Sequence, residues 1–159
     1  MTKAAPFVLD TCALTWAMRD AYPIDIAPGF WEKLEQAVNA GIVISNEMVF
    51  REIKQQDDSL YAWCNQLPQL FCDIDQAILD KAAELVGNYP KMINPLGEKD
   101  GADPFLIAQA ILCNGVVVTQ EKIAGPTANK IKIPDVCCLI GLKCVTTLLM
   151  MKDLGWKLV

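Results

Sequence analysis

The run Val116-Val117-Val118-Thr119 constrains the fold more than any other stretch, because four β-branched residues follow one another without polar alternation. A strand with one wet face alternates apolar and polar residues. A continuous run of this kind belongs inside a parallel sheet covered on both faces. Parallel neighbours cannot be joined by tight turns, so helical crossovers must lie between the strands. The rest of the chain supplies them. Pro6-Phe7-Val8-Leu9-Asp10 reads as a strand ending on an acid, and bulky residues continue from Thr11 to Met18 at helical spacing. From Pro28 to Ala40, Phe30, Leu34 and Val38 recur every four residues among Glu32, Lys33, Glu35 and Gln36; Pro28 suits the start of that helix and Gly41 its end.

Gly41-Ile42-Val43-Ile44-Ser45 is a second strand, and Asn46 is placed to cap a helix carrying Met48, Val49, Glu52 and Ile53. A helix with Leu60, Tyr61, Cys64 and Leu67 ends at Pro68, and Gln69 to Cys72 reads as a brief edge strand. Asp73 and Gln76 have the spacing of a capping box opening a helix with Ile78, Ala82, Leu85 and Val86 on one stripe. Asn88 to Lys99, with two prolines and a glycine, is the main loop. Ala102-Asp103-Pro104 opens a helix that is apolar nearly all round and ends at Asn114-Gly115. A last strand near Lys143 to Thr146 and a helix from Leu148 to Leu154 close the chain. This alternation predicts one domain over residues 1–159, a three-layer α/β/α sandwich around a central, mainly parallel sheet.

With 159 residues and 53% apolar composition, one domain can bury an adequate core. The N-terminus lacks a long apolar signal region and no apolar run is long enough to span a bilayer, so a cytoplasmic protein without membrane contact is expected. The seven cysteines form an odd set with no C-x-x-C pair, and read as small buried apolar residues in a reducing compartment. Cys137, Cys138 and Cys144 are the only grouping that suggests zinc, and adjacent thiolates do not match its usual spacing.

The chain has no histidine. That excludes a Ser/His/Asp triad, a Cys/His pair and any imidazole ligand or base, so catalysis must run on carboxylates. Four acids are candidates. Asp10 ends the first strand and Glu121 follows Thr119, while Asp103 opens the helix leading into Val116. In a parallel sheet, a helix leading into a strand begins at the strand's carboxyl edge, where ligands bind, so these three share that edge. Glu52 lies six residues past Asn46, about 9 Å along the axis, and joins them only if its helix leans inward. Each acid alone has an ordinary reading: a helix cap for Asp10 or Asp103, a solvated face for Glu52, a polar loop for Glu121. Gathered in one crevice, they repel one another unless a proton or a divalent cation lies between them.

The stretches Phe7-Val8-Leu9-Asp10-Thr11, Tyr22-Pro23, Pro28-Gly29-Phe30-Trp31, Glu52-Ile53, Gly101 to Ala108, Val116 to Glu121, Lys132 to Cys137 and Leu154-Gly155-Trp156 together resemble the PIN-domain family. In particular, they resemble the PIN-like group once catalogued as a family of unknown function, of the DUF4411 type. PIN domains are small α/β nucleases, often ribonuclease toxins of toxin–antitoxin pairs. The resemblance implies an RNA substrate, Mg²⁺ or Mn²⁺ as cofactor, and an antitoxin protein as partner. It implies Asp10, Glu52, Asp103 and Glu121 as the catalytic acids, with Asp10, Asp103 and Glu121 on the metal. Many members carry Asp in place of Glu121 and Ser or Asn in place of Cys12, which leaves Thr11 or Thr119 to orient the carboxylates.

Net charge is −5, which argues against a general nucleic-acid coat. Lys122, Lys130 and Lys132 nevertheless make one acid-free basic stretch, read either as a guide for the RNA backbone or as ordinary solvated lysines. Phe30 and Trp31 on neighbouring faces of their helix suggest a homodimer or antitoxin surface; core packing explains them equally. Two further functional readings stand beside the nuclease: a catalytically silent PIN-fold scaffold that binds RNA or docks a protein, and a haloacid-dehalogenase-type phosphatase. The phosphatase needs a second Asp two residues after Asp10, where this chain has Cys12.

Overall fold

The computed structural model describes residues 4–56, 58–92, 101–124 and 131–158. Its sheet contains β1 (Phe7–Leu9), β2 (Val43–Asn46), β3 (Phe71–Cys72), β4 (Val116–Val118) and β5 (Cys144–Val145), in spatial order β3-β2-β1-β4-β5. Every pairing is parallel, with Phe7 opposite both Val43 and Val116. The β-branched run is covered on both sides, and Val117 and Val118 are fully buried.

The helices are α1 (Thr11–Trp16), α2 (Pro28–Asn39), α3 (Glu47–Lys54), α4 (Ser59–Asn65), α5 (Gln76–Asn88), α6 (Ala102–Leu112), α7 (Ile133–Ile140) and α8 (Thr147–Asp153). The chain steps one way across the sheet from β1 to β2 to β3, then returns past β1 to β4 and β5. Right-handed crossovers therefore place α1 to α4 on one face and α5 to α7 on the other, giving the three-layer α/β/α sandwich. Between β1 and β4 the winding direction reverses, so a crevice opens beyond their carboxyl ends.

Two devices hold α6 against the sheet. Gln109, buried within the helix, donates to Ser45 O at 2.8 Å and accepts from Asn46 Nδ2 at 3.0 Å, so both ends of its amide are satisfied in the core. At the far end, Asn114 takes φ 53° and Gly115 follows it; a Cβ at Gly115 would lie 2.9 Å from Val8 Cγ2 and 3.0 Å from Pro6 O. Only glycine lets the chain turn so close to β1.

Several expectations need correction. The cap of α5 is Asp75, whose carboxylate accepts from Ile78 N at 2.9 Å; the Asp73 capping box does not form. Phe30 and Trp31 are 1% and 2% exposed, so they are core residues and not a docking surface. Among the cysteines, Cys64 and Cys137 are buried, Cys138 is exposed, and all seven are free. The chain after α1 adds a π-helical turn, Ala17–Ala21, and α7 was not legible as a helix, although Pro134 in its first turn and left-handed Gly141 after it are usual boundary signals. Most of the Asn88 to Lys99 loop lies outside the described residues. Among the described residues no helix is long and apolar enough to cross a membrane.

Candidate active site

Asp10 follows β1 and caps α1: its Oδ1 accepts from Ala13 N at 2.7 Å and its Oδ2 from Thr119 Oγ1 at 2.5 Å. The Thr119 hydroxyl oxygen in turn accepts from Glu121 N at 3.1 Å. One hydroxyl thus ties the ends of the two central strands together. Asp10 is 4% exposed, and burial pushes its carboxyl up to about 8, with the charges of Glu121 and Asp103 adding to the rise and the bonds from Thr119 and Ala13 opposing it. The added rise from Glu121 and Asp103 is the electrostatic mark of carboxylates gathered near Asp10.

Asp103 stands in the first turn of α6, two residues after the cap position, Gly101. The capping function passes to another acid. Glu52 Oε1 accepts from Ala102 N at 3.0 Å, while its Oε2 accepts from Thr11 Oγ1 at 2.6 Å. α3 does lean inward, and Glu52 braces the beginnings of α1 and α6 against each other. Glu121 similarly reaches a helix start, its Oε2 accepting from Ile133 N of α7 at 3.2 Å. All four acids therefore meet the positive ends of helices, which offset part of their charge.

The four acids line one open cleft of about 560 Å³ at the point where the winding reverses. Asp20 adds a fifth carboxylate to the lining, and no lysine or arginine lines it among the described residues. Cys12 also borders the cleft, but burial and the neighbouring Asp10 charge push its thiol up to about 11, so it stays protonated near neutral pH. Accessible donors are therefore hard oxygens, the set that suits Mg²⁺ or Mn²⁺. Among the described residues, no group of three or more acids or cysteines is set closely enough to hold an ion as placed.

The basic stretch is less coherent than the acids. Lys122 is exposed, Lys132 is half-buried at the start of α7, and Lys130 lies outside the described residues. Asp135, in the first turn of α7, accepts from Lys132 N at 2.7 Å and from Ala124 N at 3.1 Å.

Sequence reasoning missed Trp16, Asp20, Gln56 and Gln120, which line the same cleft. A signal existed for part of it. Cys12, Trp16 and Asp20 recur every four residues after Asp10, as one helix face would.

Residues 7–158 match the family described as a domain of unknown function, DUF4411. The chain belongs to that family. The match runs through both central strands and every acid of the cleft, so the site lies inside the DUF4411 region. No curated protein matches the chain.

Proposed function

We propose that this DUF4411 chain is a metal-dependent ribonuclease of the PIN type that hydrolyses RNA phosphodiester bonds with Mg²⁺ or Mn²⁺. The toxin half of a toxin–antitoxin pair is the setting that resemblance implies. One observation carries the reading: Asp10, Asp103 and Glu121, from three separate elements, line one crevice at the reversal point of a parallel sheet, where the charges of Glu121 and Asp103 add to the cost of ionising the buried Asp10. A buried acid held by two hydrogen-bond donors, with two further carboxylates beside it, is a poor arrangement for structure alone and a good one for a divalent cation.

Asp10, Asp103 and Glu121 would hold the ion, which requires their carboxylates to draw closer than they stand without it. When bound, it supplies Lewis-acid charge to the phosphate and lowers the pKa of coordinated water. Thr119 holds the Asp10 carboxylate by its Oδ2, and the Glu52 brace fixes the start of α6 and so the position of Asp103. With no lysine or arginine along the cleft among the described residues, the substrate phosphate depends on the ion for attraction.

The test is RNA cleavage by purified protein with Mg²⁺ or Mn²⁺, with chelator, and with Asp10→Asn. Cleavage that needs the ion and vanishes in a folded Asp10→Asn protein supports the proposal. Cleavage that survives either change refutes it.

A second reading, a silent scaffold that binds RNA or protein, draws on the engagement of Glu52, both of whose carboxylate oxygens already accept bonds from Thr11 and Ala102. It predicts no turnover with any ion. The phosphatase reading is weakest, because the position two residues past Asp10 is a protonated thiol.

A further inference from the structure

The part of the cleft away from the metal-site acids is bordered by Trp16, Gln56 and Gln120, and none of the three is needed to hold an ion. Trp16 is a half-buried indole at the end of α1, set edge-to-face against Tyr22 at 5.9 Å; Tyr22 stacks on the buried Phe30 at 4.7 Å. The indole therefore rests on a rigid aromatic support. The π turn that follows, closed by Tyr22 N donating to Ala17 O at 2.6 Å, adds a residue to the helical turn just where Trp16 and Asp20 border the cleft. Such turns often accompany functional sites.

The two glutamines are oriented by their partners. Gln56 Oε1 accepts from Arg19 Nη2 at 2.7 Å, and Gln120 Oε1 accepts from Thr147 N at 2.9 Å. A guanidinium and a backbone amide can only donate, so both amide carbonyls are fixed by chemistry and not by choice of fit. The donors each glutamine has left to offer a ligand are those of its NH₂ group. The cleft thus combines a supported aromatic surface with two amide donors, beside carboxylates that would repel any anion not carrying a cation.

We propose that Trp16, Gln56 and Gln120 form a nucleobase subsite next to the reacting phosphate, taking an unpaired base that presents ring carbonyls. This rests on the ribonuclease reading for the identity of the ligand. A base stacks on Trp16, and its carbonyl oxygens accept from the glutamine NH₂ groups. Uracil has two such oxygens and adenine has none, so uridine-rich single strands are preferred over adenosine-rich ones. A base held in a duplex cannot reach the indole.

The experiment compares labelled octauridylate and octaadenylate with full-length protein in Mn²⁺, measuring both equilibrium binding and kcat/KM for wild type, Trp16→Ala, Trp16→Phe and Gln120→Glu. Trp16→Ala is expected to weaken octauridylate binding roughly five- to hundredfold, with the loss in KM more than in kcat, and Trp16→Phe to restore most of it. Gln120→Glu, which replaces the donor by an acceptor, should erase the preference for uridine. Wild-type cleavage that depends on Asp10 but is indifferent to Trp16→Ala and to base identity would overturn the subsite and leave the nuclease reading standing. Trp16-dependent, uridine-preferring binding without cleavage under any ion would do the reverse. An absence of binding to either oligomer overturns the subsite outright.

Discussion

Thr119 Oγ1 donates to Asp10 Oδ2 while accepting from Glu121 N, so the hydroxyl's only proton is committed to the buried acid. The amide can only donate, so the hydroxyl accepts from it and keeps its own proton free for the Asp10 carboxylate. Asp10 is accordingly built to accept on both oxygens, as a carboxylate would, in surroundings that favour its neutral form. A divalent cation, as proposed for this site, would resolve this conflict.

Thr119→Val keeps the shape of the side chain and removes the proton. Affinity for Mn²⁺ should fall roughly tenfold to hundredfold, as for other groups that orient a metal ligand, while the fold persists. Calorimetric titration of both proteins would measure this; unchanged affinity would remove Thr119 from the site.

The pH dependence of the ion-free protein has a fixed sign. The Asp10 carboxyl sits at about 8 in the fold against 3.8 for the ordinary side chain. At pH values below that ordinary value it is protonated in both states and its burial carries no charge penalty. As pH rises through the window between the two, the unfolded chain releases the proton and the folded chain retains it, so stability falls by an amount on the order of a few kcal/mol. Thermal unfolding without ion should therefore move to lower temperature from acid to alkaline pH, more steeply in wild type than in Asp10→Asn. Mn²⁺ should stabilise the wild type most at the alkaline end, where it no longer competes with a proton. Parallel slopes for the two proteins would disprove this.

Glu52→Ala removes the acceptor that holds both Thr11 and Ala102. A loss of about 1–3 kcal/mol is expected, since the first amide of α6 is left without its cap and the hydroxyl without its partner. Denaturant titration checks the figure. A change within a few tenths of a kcal/mol would mean that Glu52 is not a brace.

Gln109→Leu fills the same space but strands Asn46 Nδ2 and Ser45 O, both buried. The expected cost is about 1–3 kcal/mol. Loosening of α6 should also displace Asp103 and weaken Mn²⁺ binding, which the same calorimetry would register.

At the edge of α4, Asp58 accepts from Leu60 N and Tyr61 N and pairs with Arg19 at 2.7 Å, which holds its carboxyl below the usual range. Its contribution is present above the ordinary carboxyl pKa and is lost as pH falls through the lowered value. Asp58→Ala should cost about 1 kcal/mol near neutral pH, mostly as a lost helix cap because the ion pair is solvated. Unfolding curves at neutral and strongly acidic pH would show the gap between the two proteins close.

The strands and most helices were legible because burial on both faces imposes a composition: Val116 to Thr119 can hardly be anything but an inner strand. The convergence of Asp10, Asp103 and Glu121 followed from topology alone, since the direction of each element decides which end of the sheet it reaches. What Glu52 does was not legible. Its partners, Thr11 and Ala102, lie 41 and 50 residues away, and no local pattern encodes such pairs. Asp73 and Asp75 illustrate a finer limit, for both can cap a helix and only the packing of Ile78 into the core selects the second. Trp16 carried a helical period, but the π turn that follows it, where Asp20 also borders the cleft, departs from that period.

Because the beginnings of α1, α6 and α7 each donate a backbone proton to one of the acids, the negative cluster does not rely wholly on a dissolved ion to be tolerated. Assembly of the polypeptide and loading of the cation are then separable events. Exhaustive dialysis against EDTA should yield a folded, dormant species that regains full competence within seconds of adding manganese back.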